Sequence, residues 1–180
     1  MKNLKTKLII FSVLFSIVAC NTENNTIIVK KVIKPVNNSS ILGTISFTQE
    51  NDSVSLEAHV FGLEPGTKAI HIHEFGDCSS EDGLSSGGHW NPYDNKHGKW
   101  GDPTGFHISD IGNFEVDSIG HGMLKFKTDL WCLGCEEEND ILNKALIIHN
   151  GVDDYVSQPS GAAGMRIGCM EIKIPEEVSL

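Results

Sequence analysis

The chain predicts an all-β fold, an antiparallel β-sandwich or Greek-key barrel, on three observations. Short extended runs recur along it between turn signals, scarcely any stretch keeps a long helical period, and 18 glycines among 180 residues suit a turn-rich protein. The length gives room for one domain with a modest core. Two long irregular stretches interrupt the strands. The first, residues 76–111, exceeds the usual loop length, which marks it as functional or disordered. No internal repeat is evident.

The first 19 residues stand apart from that fold. Lys2, Lys5 and Lys7 precede the apolar run Leu8-Ile9-Ile10-Phe11, which continues through Val13, Leu14, Phe15, Ile17 and Val18. A charged start followed by a short apolar run is the layout of a secretory signal rather than of a spanning helix. The run ends Ile17-Val18-Ala19-Cys20, which resembles the lipobox of bacterial lipoproteins. In that class the peptide before the cysteine is removed and the new N-terminal cysteine carries lipid. The expectation is a signal peptide over residues 1–19, a lipidated Cys20 with a short polar tether to residue 26, and one folded domain over residues 27–180. Such a chain is exported to a bacterial cell envelope and held on a membrane, facing the periplasm or the cell surface. Losing the signal removes three lysines and no acid, so the formal charge moves from −10 to −13. That acidity excludes nucleic acid as a partner recognised by charge, because phosphate contacts need a basic face. With no polybasic patch, the acyl chains alone must hold the protein to lipid.

Eight segments then read as strands: residues 27–33, 41–49, 53–61, 68–75, 112–117, 123–130, 145–149 and 166–174. Asn37-Asn38, Asn51-Asp52, Pro65-Gly66 and Gly120 are the turn signals between them. The alternation Ser53-Val54-Ser55-Leu56-Glu57-Ala58-His59-Val60 is the cleanest, with one apolar face and one polar.

Four cysteines remain after Cys20, an even number that suits disulfides in an exported chain. Cys132 and Cys135 lie together in W-C-L-G-C, which leaves Cys78 to pair with Cys169 across about 90 residues. A C-x-x-C is also compatible with half of a zinc site or a redox motif. Outside the cytosol, and without a strand–helix context of the thioredoxin kind, a local disulfide is favoured.

The chemistry concentrates between residues 71 and 110. Five of the eight histidines fall there, ending beside Asp110. Neutral imidazole is a common ligand for zinc, copper and iron. Ala69-Ile70-His71-Ile72-His73 alternates as a strand does, so His71 and His73 project to one face roughly 7 Å apart while Ile70 and Ile72 point into a core. A lone H-x-H is more often a pair on a solvated face; the histidines that follow point to a metal site. His59 and His121 read as structural or solvated, and Trp90, Trp100 and Trp131 as packing or loop-anchoring residues.

Taken in order, H-I-H-E-F-G-D, G-G-H-W-N-P, K-H-G, H-I-S-D-I-G-N, L-I-I-H-N-G-V-D-D and G-A-A-G-M-R-I-G-C resemble copper–zinc superoxide dismutases, across residues 27–174. The resemblance implies an eight-stranded Greek-key β-sandwich or barrel with two long functional loops, whether as monomer or homodimer. By it, His71, His73, His89 and His149 match copper ligands, and His89, His97, His107 and Asp110 match zinc ligands. His89 then serves both ions, which requires loss of both ring protons between two cations. Asp153, with Asp154 as a rival, matches a carboxylate linking the two sides. Arg166 matches a guanidinium at the copper mouth, a permanent planar cation suited to superoxide. The implied reaction has two halves: superoxide reduces copper and leaves as dioxygen, and a second superoxide reoxidises it, takes up protons and leaves as peroxide. In the family picture His89 parts from reduced copper and takes a proton while zinc holds it.

Two features depart from the family's pattern. Residues 129–140 read as an insertion carrying the C-x-x-C and Glu136-Glu137-Glu138. The loop from His149 to Arg166 is short and lacks lysine, which weakens long-range steering. Residues 156–165 contain no acid, so Arg166 is expected to stand locally unopposed, with the acids, including Glu136-Glu137-Glu138, away from the copper mouth. The rival reading is a metal store or chaperone on the same fold, with the C-x-x-C as its positive hint. No ligand position nor the arginine is missing, which favours the enzyme.

Overall fold

The structure is a computed structural model that describes residues 26–174. The expected signal peptide, Cys20 and all but the last residue of the tether lie outside the described residues. Nine strands form: β1 (Ile27–Val32), β2 (Lys34–Pro35), β3 (Leu42–Glu50), β4 (Ser53–Phe61), β5 (Gly66–His73), β6 (Gly112–Val116), β7 (Gly122–Thr128), β8 (Ala145–His149) and β9 (Arg166–Glu171). All pairings between them are antiparallel, in the order β1-β3-β4-β7-β6-β5-β8-β9-β2.

That order is a Greek key. β5, β6 and β7 are consecutive neighbours, and β8 returns along the loop 129–144 to lie beside β5. The ninth strand, β2, lies just past the end of the first expected one, in residues that were not expected to form a strand. β1 pairs with β3, the chain turns inward at Ile33, and β2 pairs with β9 at the opposite edge. One segment therefore touches both edges and nearly closes the sheet into a barrel, which removes exposed ladder ends. Pro35 is tolerated because β2 is a two-residue edge strand. Gly168 permits the crossing: a Cβ there would lie 2.5 Å from Ile33 Cδ1.

The core follows the alternation seen in the sequence. Val54, Leu56, Ala58 and Val60 of β4 point inward against Ile45 and Phe47 of β3, all at most 1% exposed. Asn51 turns the β3–β4 hairpin at φ 54°, a left-handed conformation that asparagine accepts. On β5, Ile70 and Ile72 enter the same core, so His71 and His73 face the opposite way, beneath the long loops. β9 bulges where it passes Ile148 and His149, bringing Arg166 opposite His149.

The insertion, with Ile141 just after it, packs into the core. Trp131, Leu133 and Ile141 are buried, and the Trp131 ring packs on Phe47, Trp100 and Phe126. Its indole N–H donates to the carbonyl of Ile108, within the stretch from His107 to Asp110. The acidic insertion thus braces the histidine-rich loop from outside.

Candidate metal centre

Seven side chains from two neighbouring strands and the 76–111 loop converge into two groups of four that share His89. His71, His73, His89 and His149 form one; His89, His97, His107 and Asp110 form the other; within each, the donor atoms lie within 4.8 Å of one another. His71 and His73 come from β5 and His149 from β8, its hydrogen-bonded neighbour. His89 is carried to them by an isolated bridge to His73.

Hydrogen bonds fix which nitrogen of each ring is available. His73 Nδ1–H donates to Gly87 O at 2.9 Å and His149 Nδ1–H to Gly164 O at 3.1 Å. Their Nε2 atoms therefore carry lone pairs and face each other at 3.3 Å. His107 Nε2–H donates to Asn95 O at 3.1 Å, leaving Nδ1 for its group. Asp153 settles two more rings: Oδ2 accepts from His71 Nε2–H and Oδ1 from His97 Nε2–H, each at 2.8 Å. Asp154 instead accepts from Val156 and Ser157, so Asp153 is the linking carboxylate.

The donor set fits metal on an observation independent of any resemblance. His71 Nδ1, His89 Nε2, His97 Nδ1 and His107 Nδ1 are buried without a hydrogen-bond partner. Leaving such atoms unsatisfied costs about 1–3 kcal/mol each, and a cation at each group would relieve that cost. His97 Nδ1 and His107 Nδ1 lie 3.0 and 3.2 Å from the Asp110 carboxylate without hydrogen-bond geometry, as ligands around one ion do.

Electrostatics prepare the groups differently. Burial, reinforced by neighbouring imidazoles, holds His149 down at about 3 and His89 at about 4, and His73 well below the usual histidine value. Those three rings are neutral at neutral pH and ready for metal. Burial would lower His97 too, but Asp110 and Asp153 raise it to about 9, so loading the second group displaces a proton. Burial would raise both carboxyls, yet the adjacent imidazoles of His107, His89 and His97 hold Asp110, and hydrogen bonds from His71 and His97 hold Asp153, well below the carboxylate range.

The first group opens on a cavity of about 490 Å³ lined by His73, His89, His149 and Arg166 among others; His97, His107 and Asp110 do not line it. An open four-nitrogen group suits a redox ion that must meet substrate, and a closed His3Asp set suits zinc. Arg166 is seated by NH1 donating to Gly83 O (2.6 Å) and Ser86 Oγ (3.1 Å), and by NH2 donating to Gly87 O (2.7 Å).

The expectation that Arg166 stands unopposed is corrected here. Asp82 lines the same cavity, and its field reaches the guanidinium. The acid comes from the 76–111 loop rather than from the segment before Arg166, and tertiary folding brings the two together. Glu136, Glu137 and Glu138 line none of that cavity. The sulfurs of Cys78 and Cys169 are bonded, as are those of Cys132 and Cys135, beside which Asp140 lies. His121 meets Phe61 edge to face with ring centroids 4.6 Å apart, and belongs to neither histidine group.

Three supporting residues escaped the sequence reading. The Asn113 carboxamide bonds both backbone groups flanking Asp153, donating at 2.9 Å and accepting at 2.8 Å. Gln158 does the same for His97, at 2.9 Å each way. Gly161, at φ +65°, lies so close that a Cβ would sit 1.8 Å from Asp153 Oδ1 and 2.5 Å from His97 Nε2. Gly161→Ala is therefore expected to break the Asp153–His97 link and weaken divalent metal at the second group roughly 10–100-fold, as loss of a ligand's supporting partner does. Competition against a zinc chelator measures this; unchanged affinity would refute the role given to that link.

The family model for copper/zinc superoxide dismutase matches residues 41–172. Copper–zinc superoxide dismutase 2 of Aquifex aeolicus (strain VF5) is 36% identical over 137 residues, covering 74% of this chain and 80% of its own. The extracellular copper–zinc superoxide dismutase of Caenorhabditis elegans is 34% identical over 145 residues, covering 77% and 64%. Among solved structures, a double mutant of a SOD-like protein from Bacillus subtilis superposes with a TM-score of 0.70 at 32% identity, covering 79% of this chain and 97% of that one.

Proposed function

Because the chain belongs to the copper/zinc superoxide dismutase family, we propose that it dismutates superoxide outside the cytoplasm at the centre formed by these seven ligands. The observation that carries this reading is His89, whose Nδ1 lies 3.0 Å from Asp110 while its buried Nε2 turns to His71, His73 and His149. One imidazole committed on both sides is what a shared ligand between two cations requires. His71, His73, His89 and His149 are assigned to copper, and His89, His97, His107 and Asp110 to zinc.

Bound copper supplies the one-electron couple by which two superoxide anions and two protons become dioxygen and hydrogen peroxide, and zinc serves structurally. The chain's own residues do the rest. Arg166, with both terminal nitrogens held by the turn from Gly83 to Gly87, presents a fixed cation to the entering anion. His89 Nε2 is the site that holds a proton for peroxide formation, while Nδ1 stays oriented against Asp110. Asp153 fixes the rings of His71 and His97 so that neither turns when charge on the copper side changes. Burial of the second group keeps superoxide to the open one.

Residues 27–180 constitute the catalytic domain, residues 1–19 its signal peptide, and Cys20 the lipid-bearing residue that tethers it to the envelope. The lipobox-like Ile17-Val18-Ala19-Cys20 supports the anchor.

The test is superoxide dismutation by a soluble form starting after Cys20, loaded with copper and zinc, over a range of salt concentrations. Fast turnover that falls as salt rises is expected, because exposed charge acts over about 8 Å at physiological ionic strength. Salt-insensitive turnover would keep the enzyme and discard steering by Arg166. No turnover with both metals bound would sink the dismutase reading and favour metal storage.

A further inference from the structure

We propose that Asp82 sets the rate at which small anions enter the copper-side cavity, by opposing Arg166 from the same wall. This rests on the reading of that cavity as the entrance for superoxide. Histidines aside, Arg166 and Asp82 are the two charged residues among those lining it. Arg166 makes its hydrogen bonds with two carbonyls and a hydroxyl rather than a carboxylate, so its charge is not cancelled by direct pairing. Asp82 is the acid that lines the cavity with it.

The placement of Asp82 is built rather than incidental. Its Oδ1 accepts from the backbone N–H of Leu84 at 2.9 Å, which fixes the side chain. The Asn37 carboxamide donates both to the Asp82 carbonyl at 3.1 Å and to the Arg166 carbonyl at 2.9 Å. One side chain thus ties the backbones of the opposed pair together. A second, shallower cavity shares Asn37 and Asp82 and adds Glu81, so the acidic flank continues outward. Low-dielectric walls focus the field of charges that line a cleft, so Asp82 offsets Arg166 where the anion must pass. The brake is local and adds to the repulsion of a chain whose formal charge is −10.

Asp82→Asn removes the charge and retains an oxygen for the Leu84 N–H. At low ionic strength the copper–zinc form of this variant is expected to dismutate superoxide ~2–5-fold faster than wild type, with the difference fading above about 0.5 M salt. Azide titrated into the copper absorption band should bind more tightly by a similar factor, a readout that needs no turnover. Asp82→Ser, which keeps a capping oxygen, should behave alike. Glu138→Gln removes the same formal charge from a residue outside the cavity and should change neither quantity. Equal rates and equal azide affinities in wild type and both Asp82 variants would overturn the proposal, as would Glu138→Gln matching Asp82→Asn. Wild type that binds azide without dismutating superoxide would sink the functional reading instead, and the azide comparison would still decide the role of Asp82.

Discussion

Chelation of both metals lowers the expected melting temperature by roughly 15–30 °C. A ligand present at a thousand times its dissociation constant stabilises the folded state by about 4 kcal/mol per site, and each kcal/mol is worth about 2–4 °C in a domain of this size. The structural reason lies in the four buried imidazole nitrogens that have no hydrogen-bond partner without an ion. Calorimetry before and after EDTA treatment measures the shift. A change below about 5 °C would mean that these groups do not hold metal tightly.

The loss should also acquire a pH profile with a determined sign. In the metal-free protein, burial places His89 at about 4 and His149 at about 3, and His73 is depressed in the same direction. A depressed group contributes stability above its unfolded value of 6.5, and that contribution is lost as pH falls through the folded values. His97 works the other way. Raised to about 9, it contributes fully below 6.5 and loses its contribution as pH climbs through 9. The metal-free form is therefore most stable near pH 6.5 and weakens on both sides. Bound metal keeps these rings unprotonated, so in denaturant melts the loaded protein should hold its stability from pH 6.5 to 9, where the metal-free form weakens, and lose it below 6.5 as protons compete for the ligands in the unfolded chain.

The side chains of the two groups were legible because their signal is local and ordered. A strand alternates, so Ile70 and Ile72 in the core force His71 and His73 outward together. The supports were not legible, because they arise where distant loops meet. Nothing near Gly161 in the sequence announces that a methyl group there would collide with Asp153 Oδ1. Asn113 and Gln158 are ordinary carboxamides until the fold brings them, across 40 and 61 residues of sequence, to Asp153 and His97. Asp82 was hidden for the same reason: residues 156–165 beside Arg166 in the sequence contain no acid, whereas in the fold residues 82–87 of the 76–111 loop lie against Arg166. The fold class followed from turn spacing and alternation. The short strand β2 did not, since only barrel closure gives residues 34–35 a partner.

Loss of the Cys78–Cys169 disulfide is the other large effect expected. The bridge spans 91 residues, and the chain-entropy relation assigns such a loop about 4–5 kcal/mol. Global stability alone would not distinguish this bridge from any other long one; its position would. Cys169 and Arg166 share β9, while Cys78 opens the loop whose Gly83, Ser86 and Gly87 hold the guanidinium. The disulfide therefore ties the arginine's strand to the arginine's seat. Cys78→Ser with Cys169→Ser should lower the midpoint of urea unfolding, and at temperatures where the protein stays folded it should also weaken azide binding at the copper side. His73 should loosen too, because its Nδ1–H donates to Gly87 O on the same loop. Lower stability with unchanged azide affinity would reduce the bridge to a staple. A joint loss would make it part of the site's positioning, because Arg166 holds a fixed charge only while both ends of its seat are fixed.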